Sequence, residues 1–170
     1  MLYQSVYDSP LGKLVAFSDG QALTGLWFEG QKYYGAGLEG DPVISDQLPV
    51  LMQAVSWLDR YFAGAKPQPE ELLLDPRGSS FRQAVWKILL GIPYGETMTY
   101  GAIASLIARD RGLERMSSRA VGGAVGHNPI SIVIPCHRVI GWDGSLTGFG
   151  GGLSRKAWLL EHERNGYQAV

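Results

Sequence analysis

The chain has 170 residues, 45% of them hydrophobic and 18% charged, with a formal net charge of −1. That length suits one large domain or two small ones around a real hydrophobic core, no apolar run is long enough to span a bilayer, and the overall charge by itself argues against a general polyanion binder. A single cysteine excludes an internal disulfide, and the first residues show no basic segment followed by an apolar run, so no secretory signal and a reducing compartment are expected.

Residues 2–8, 13–18 and 23–29 are short β-prone runs separated by Ser9-Pro10-Leu11-Gly12 and Asp19-Gly20 turn signals, which predicts a small antiparallel meander. A helix is expected from about Leu48 to Phe62, with Leu51, Val55, Leu58 and Phe62 on one face. Leu72 to Leu74 is expected to return as a strand. Asp75-Pro76-Arg77-Gly78-Ser79 combines turn residues with a change in charge sign. Residues 1–80 carry five Lys/Arg against ten Asp/Glu, and residues 81–170 carry ten against six. Two units are therefore expected, 1–77 and 78–170. Attraction to phosphates acts over roughly 8 Å, so a basic half can bind nucleic acid beside an acidic one.

The second half reads as mainly helical. Ser80 with Gln83 matches a capping box opening a helix from Phe81 to about Leu90, which Pro93-Tyr94-Gly95 stops. Thr99 can cap a helix from Tyr100 to Ala108, and Ser117 or Ser118 a helix from Arg119 to about Gly126. Two short helices joined by an arginine-bearing loop are a weak helix-turn-helix pattern. A last helix is expected from Ser154 to about Glu163. The fold class is α+β: a small antiparallel sheet with a helix, then a mainly helical unit. The helix from Arg119 carries Gly122, Gly123 and Gly126, and each glycine inside a helix costs about 1 kcal/mol relative to alanine. Either another helix packs closely there, or the slim face, with Ala120 and Ala124, lies against a nucleic-acid groove.

Cys136 sits in Ile134-Pro135-Cys136-His137-Arg138-Val139-Ile140. Lone cysteines are more often buried core residues, but a histidine and an arginine alongside supply a proton acceptor and positive charge to a thiol. Consecutive strand residues face opposite ways, so His137 helps Cys136 only if Pro135 sets a turn or a water bridges the pair. Cys136, His127, His137 and His162 match no usual zinc spacing, and a metal would block the thiol; no metal site is expected.

These residues, with Arg119-Ala120-Val121-Gly122-Gly123-Ala124, Asn128-Pro129, Pro93-Tyr94-Gly95-Glu96-Thr97, Tyr100-Gly101, Trp158-Leu159-Leu160-Glu161-His162-Glu163 and the opening Asp8-Ser9-Pro10-Leu11-Gly12, resemble the methylated-DNA–protein-cysteine methyltransferases (O6-alkylguanine-DNA alkyltransferases). The resemblance implies a ribonuclease H-like first unit and a DNA-binding second unit. It implies repair of O6-alkylguanine, and of O4-alkylthymine, by irreversible, single-use transfer of the alkyl group to Cys136, with no cofactor. The implied partner is alkylated duplex DNA held through its minor groove by a monomer, in the cytoplasm or on the nucleoid, and no membrane.

The resemblance also implies roles. Arg119 fills the place of the extruded nucleotide, and Tyr100 helps turn it out and bonds the flipped base. Ala120, Gly122, Gly123 and Ala124 face the groove. His137, oriented by Glu163, activates Cys136 through a water, and Asn128 ties the recognition helix to the cysteine segment. Val139 offers its carbonyl to the exocyclic amine, and Gly150 its N–H to O6. Phe149 stands where the family usually has tyrosine, so an aromatic wall remains without a hydroxyl. Rival readings are a non-catalytic alkylated-DNA sensor or helix-turn-helix regulator, which the nucleophile disfavours, and a thiol hydrolase, which no other motif supports.

Overall fold

A computed structural model describes residues 1–165. Four strands, β1 (Tyr3–Ser9), β2 (Gly12–Ser18), β3 (Leu23–Phe28) and β4 (Val43–Ile44), form a sheet of order β3-β2-β1-β4. The first three are an antiparallel meander, and β4 joins β1 in parallel. Gly12 makes the tight hairpin possible, since its φ of +111° lies outside the reach of ordinary side chains.

Strand alternation gives β2 and β3 two buried faces. Leu14, Ala16, Leu26 and Phe28 join the main core, while Val15, Phe17 and Trp27 form a smaller cluster with Leu2. Helix α1 (Pro49–Phe62) starts on a proline at its first turn, where the missing N–H costs nothing. It buries Leu51, Ala54, Leu58 and Tyr61 against the sheet, a stripe at helical spacing. The expected strand at 72–74 is a single bridge, Leu23 to Leu74, after a 3₁₀ turn at Pro69–Glu71. Among the described residues only Leu23 offers backbone partners there, to Leu73 and Asp75, and Pro76 follows.

Helix α2 (Ser80–Leu90) is capped by Ser79, whose hydroxyl accepts from the Arg82 N–H at 3.2 Å. The cap is thus one residue earlier than expected, and the Gln83 side chain donates to the Pro76 carbonyl instead of closing a capping box. Thr99 caps α3 (Tyr100–Asp110) and Ser117 caps α4 (Ser118–Gly126). Residues 111–117 join them, longer than the three or four residues of an ordinary helix-turn-helix. Strands β5 (Met98–Thr99) and β6 (Val139–Ile140) pair in parallel, and α5 (Leu153–Asn165) closes the described chain.

One hydrophobic cluster runs from Leu14 through Trp86 and Val125 to Leu159, so both halves share a core. The free edge of β3 also bridges Ile130, through Leu26 N–H to the Pro129 carbonyl and Ser131 N–H to the Leu26 carbonyl, both 2.8 Å. The N-terminal sheet thereby holds the segment leading to Cys136.

Candidate active site

That segment is folded tightly. The Val133 N–H bonds the Ser131 carbonyl and the Ile134 N–H the Ile130 carbonyl, with Ile132 between them at φ +71°. A β-branched residue in the left-handed region is strained by about 1–3 kcal/mol and persists only where its surroundings insist. Asn128 supplies that insistence. Its Nδ2 donates to the Ile134 carbonyl at 2.7 Å, and its Oδ1 accepts from the Ile130 N–H at 3.0 Å. Asn128 follows α4 and is buried, so it ties that helix to the cysteine loop. Pro135 then opens a 3₁₀ turn, Cys136–Arg138, which puts the cysteine and histidine on a turn rather than a strand.

Glu163 is the hub of the site. It accepts from His137 Nε2 at 2.5 Å, from Arg138 Nε at 2.7 Å and Nη2 at 3.1 Å, from the Tyr61 hydroxyl at 2.6 Å and from the Gly95 N–H at 3.1 Å. Burial pushes its carboxyl pKa up, but the His137 and Arg138 donors outweigh burial and hold it far below the usual carboxylate range. Arg138 is anchored further by the Ile92 carbonyl at 2.7 Å.

His137 is completely buried, and burial lowers its pKa, with Arg138 and Lys156 adding to the effect against Glu163. It is therefore neutral at physiological pH. With Nε2–H given to Glu163, Nδ1 is the lone-pair nitrogen. Nδ1 is buried and has no hydrogen-bond partner among the described residues. No direct hydrogen bond joins it to Cys136.

Cys136 is 5% exposed, and burial pushes its thiol pKa up. The Asn128 amide and the Lys156 cation act in the opposite direction. Lys156 is fully buried on α5, with its Nζ donating to the carbonyls of Val139 and Thr147. Burial brings its pKa down to about 8, while the Cys136 charge favours its protonated form. Tyr100 donates its hydroxyl to the same Thr147 carbonyl at 2.7 Å, and burial raises its pKa, so it remains a neutral donor.

Sequence reasoning missed Lys156, Tyr61 and Gly95. The signal for Lys156 was available: with Leu159, His162 and Glu163 it lies on the buried stripe of α5. A lysine on such a stripe rarely lacks a reason. Tyr61 and Gly95 carry no local signal.

On α4, Val121, Ala124 and Val125 face inward. Ala124 was expected on the groove face, but it is buried, and its carbonyl accepts from Trp86 Nε1 at 2.8 Å. At about 100° per residue it falls three positions from Val121, on the core stripe. Arg119 and Ala120 are exposed. A side chain at Gly123 or Gly126 would meet nothing within 4 Å, and at Gly122 it would only touch Tyr100 at 3.9 Å. Helix packing therefore does not account for these glycines. The bare face is outward.

Phe149 packs against the core, and Gly151 makes room for it: a Cβ there would lie 2.6 Å from the Phe149 ring. The Val139 carbonyl is already taken by Lys156, although a carbonyl has a second lone pair. Gly150 sits at the rim, its carbonyl accepting from the Lys32 N–H at 3.4 Å. Among the described residues no group of three or more His, Cys, Asp or Glu is placed to hold a metal ion.

Comparisons with known proteins identify what the chain is similar to. Residues 80–165 match the 6-O-methylguanine DNA methyltransferase DNA-binding domain, and residues 2–76 match the ribonuclease-like domain of the same enzymes. A methylated-DNA–protein-cysteine methyltransferase of Haemophilus influenzae is 44% identical over 98% of this chain and 88% of its own length. One from Mycobacterium bovis is 44% identical over 97% of this chain and 94% of its own. The crystal structure of Mycobacterium tuberculosis OGT in complex with DNA superposes with a TM-score of 0.81 at 44% identity, covering 98% of this chain and 96% of that one.

Proposed function

This chain belongs to the methylated-DNA–protein-cysteine methyltransferase family, and from that premise we infer how its own residues carry out the repair. The protein is a DNA repair methyltransferase that moves the alkyl group of O6-alkylguanine onto its own cysteine. The acceptor is Cys136, the only cysteine present.

The observation that carries the reading is the orientation of His137. Glu163 takes its Nε2–H and leaves Nδ1, on the residue following Cys136, as a proton acceptor. The thiol proton passes to Nδ1 through a bridging water, and Lys156 and Asn128 favour the thiolate. Sulfur attacks the alkyl carbon in line. The S–C bond forms as the C–O6 bond breaks, and the Tyr100 hydroxyl protonates the departing guanine. The product is a thioether with no good leaving group, so each molecule acts once.

The alkylated O6 lies in the major groove of the duplex. A protein attached through the minor groove reaches it only by rotating the nucleotide out. The bare outward face at Gly123 and Gly126 and the exposed Arg119 support that mode of attachment, with Arg119 filling the vacated stack. Action as a monomer, in the cytoplasm or on the nucleoid, belongs to the same proposal. The test is intact mass after mixing with one equivalent of O6-methylguanine duplex. One methyl group should appear on Cys136 and none on Cys136→Ala; an unmodified parent protein would end this reading.

A further inference from the structure

Trp142 is 90% exposed, while the other four tryptophans are buried or half-buried. One apolar side chain on a surface needs no explanation by itself. Trp142 differs because it is held on a rigid turn beside the residues assigned to the flipped base.

The turn is closed by its own backbone. The Gly144 N–H bonds the Gly141 carbonyl and the Gly141 N–H bonds the Ser145 carbonyl, both at 2.9 Å. The Asp143 carboxylate accepts from the Ser145 N–H at 3.0 Å, and a Cβ on Gly141 would collide with Ser145 Oγ. One buried group closes the neck of the loop. Lys156 Nζ donates to the carbonyl of Val139, where the loop begins, and to that of Thr147, where it ends. Trp142 therefore stands on a fixed tip above a fixed neck.

That neck adjoins Tyr100. Ile140 pairs with Thr99, the residue before Tyr100, and the Tyr100 hydroxyl donates to the Thr147 carbonyl at 2.7 Å. The Tyr100 ring also faces α4, where a Cβ at Gly122 would lie 3.9 Å from it. Two Cα steps of about 3.8 Å each keep Trp142 within about 8 Å of Ile140. Tyr100 is thus flanked by α4, with the exposed Arg119, and by the loop that carries Trp142. A nucleotide turned out to Tyr100 and the Val139 carbonyl stays linked to its strand on both sides. Its sugar and phosphates remain at the mouth of the pocket, next to these two elements.

We propose that Trp142 holds the strand of the extruded nucleotide, its indole packing on deoxyribose at the pocket mouth and its Nε1–H donating to a neighbouring phosphate. This rests on the assignment of Tyr100 and Val139 to the flipped base. An indole joins a large apolar face to a single donor, and phosphate contacts fix a protein's position on a duplex without reading sequence. Asp143 is the only charged side chain in residues 140–147, and its hydrogen bond to Ser145 already engages it. The tip thus offers the strand an aromatic surface and no cation. Trp142 touches the strand and not the reacting atoms, so it is a positioning residue.

The test compares single-turnover transfer from an O6-methylguanine duplex, at subsaturating DNA, with transfer from free O6-benzylguanine. The proteins are the parent, Trp142→Ala and Trp142→Phe, and unchanged melting temperatures verify the fold. The duplex rate should fall about tenfold in Trp142→Ala, within the range for losing one aromatic contact to a nucleic-acid strand. Trp142→Phe, which keeps an apolar ring without the N–H, should fall between the parent and Trp142→Ala. The free base has no strand to hold, and its reaction should lose far less. A parent-like duplex rate in Trp142→Ala overturns the proposal, as do equal losses on both substrates or a Trp142→Phe rate no better than that of Trp142→Ala. Absence of transfer from the duplex by the parent protein would instead overturn the assigned function.

Discussion

The Tyr61 hydroxyl donates to Glu163 Oε2 at 2.6 Å across 102 positions of chain, so the helix lying on the N-terminal sheet reaches the carboxylate that orients His137. Burial and the Glu163 charge both raise the Tyr61 pKa, which keeps it a donor at any physiological pH. Its removal leaves Glu163 with one fewer donor while the ring packing survives. Tyr61→Phe should lower stability by about 1.5–3 kcal/mol, the scale of a hydrogen bond to a charged group, and slow alkyl transfer. Denaturant unfolding and single-turnover rates read the two effects separately.

Glu163→Gln keeps the shape but strips the charge that compensates Arg138 in a buried setting. Breaking a buried pair by removing one partner costs about 3–5 kcal/mol, and the loss should be visible as a lower melting temperature. The native pH profile follows from the same group. Its folded pKa is depressed, so its contribution is complete above the ordinary value of 4.5 and fades as pH falls below that. The parent protein should lose stability steeply in that acid range, and Glu163→Gln should lose much less.

Lys156→Met should retain the hydrophobic stem, remove the charge beside Cys136 and push the thiol pKa further up. Transfer at neutral pH should slow and recover as pH is raised, a shift that a purely structural defect would not give. Stability also depends on pH through this group. The folded pKa of about 8 lies below the ordinary 10.5, so the unfolded chain binds more protons between those values. The parent protein should therefore gain stability as pH rises from about 8 towards 10.5, and Lys156→Met should lack that gain.

Asn128→Ala leaves the Ile130 N–H unpaired, and the Ile134 carbonyl with only the Cys136 N–H as donor, in a buried loop already strained at Ile132. Unpaired buried groups cost about 1–3 kcal/mol each. A drop of about 1–3 kcal/mol in chemical denaturation is expected, together with slower transfer to Cys136. A loss under about 1 kcal/mol would show that the loop does not depend on Asn128.

Arg119→Ala should slow repair in duplex DNA yet leave transfer from free O6-benzylguanine intact, because the free base needs no extrusion. Parallel rate measurements on the two substrates decide it. Equal losses on both would remove the assigned role.

The local elements were written plainly in the chain. Three β-prone runs between Pro/Gly turns, an apolar stripe from Leu51 to Phe62, and Thr99 and Ser117 as caps each act over a few residues, where backbone preference and side-chain period dominate. Cys136 and its neighbours His137 and Arg138 were equally legible, because their chemistry lies in adjacent residues. Ala124 was misplaced, since a periodic helix face alone does not say which boundary residues a neighbour such as Trp86 will cover.

What folding decided are the pairings between distant positions: Glu163 with Arg138 and Tyr61, Lys156 beneath Tyr100, and Tyr33 against His127. Charge, hydrogen-bond capacity and size belong to single residues and can be read one at a time. Burial and distance belong to the packed chain, and they set the protonation of His137 and Lys156.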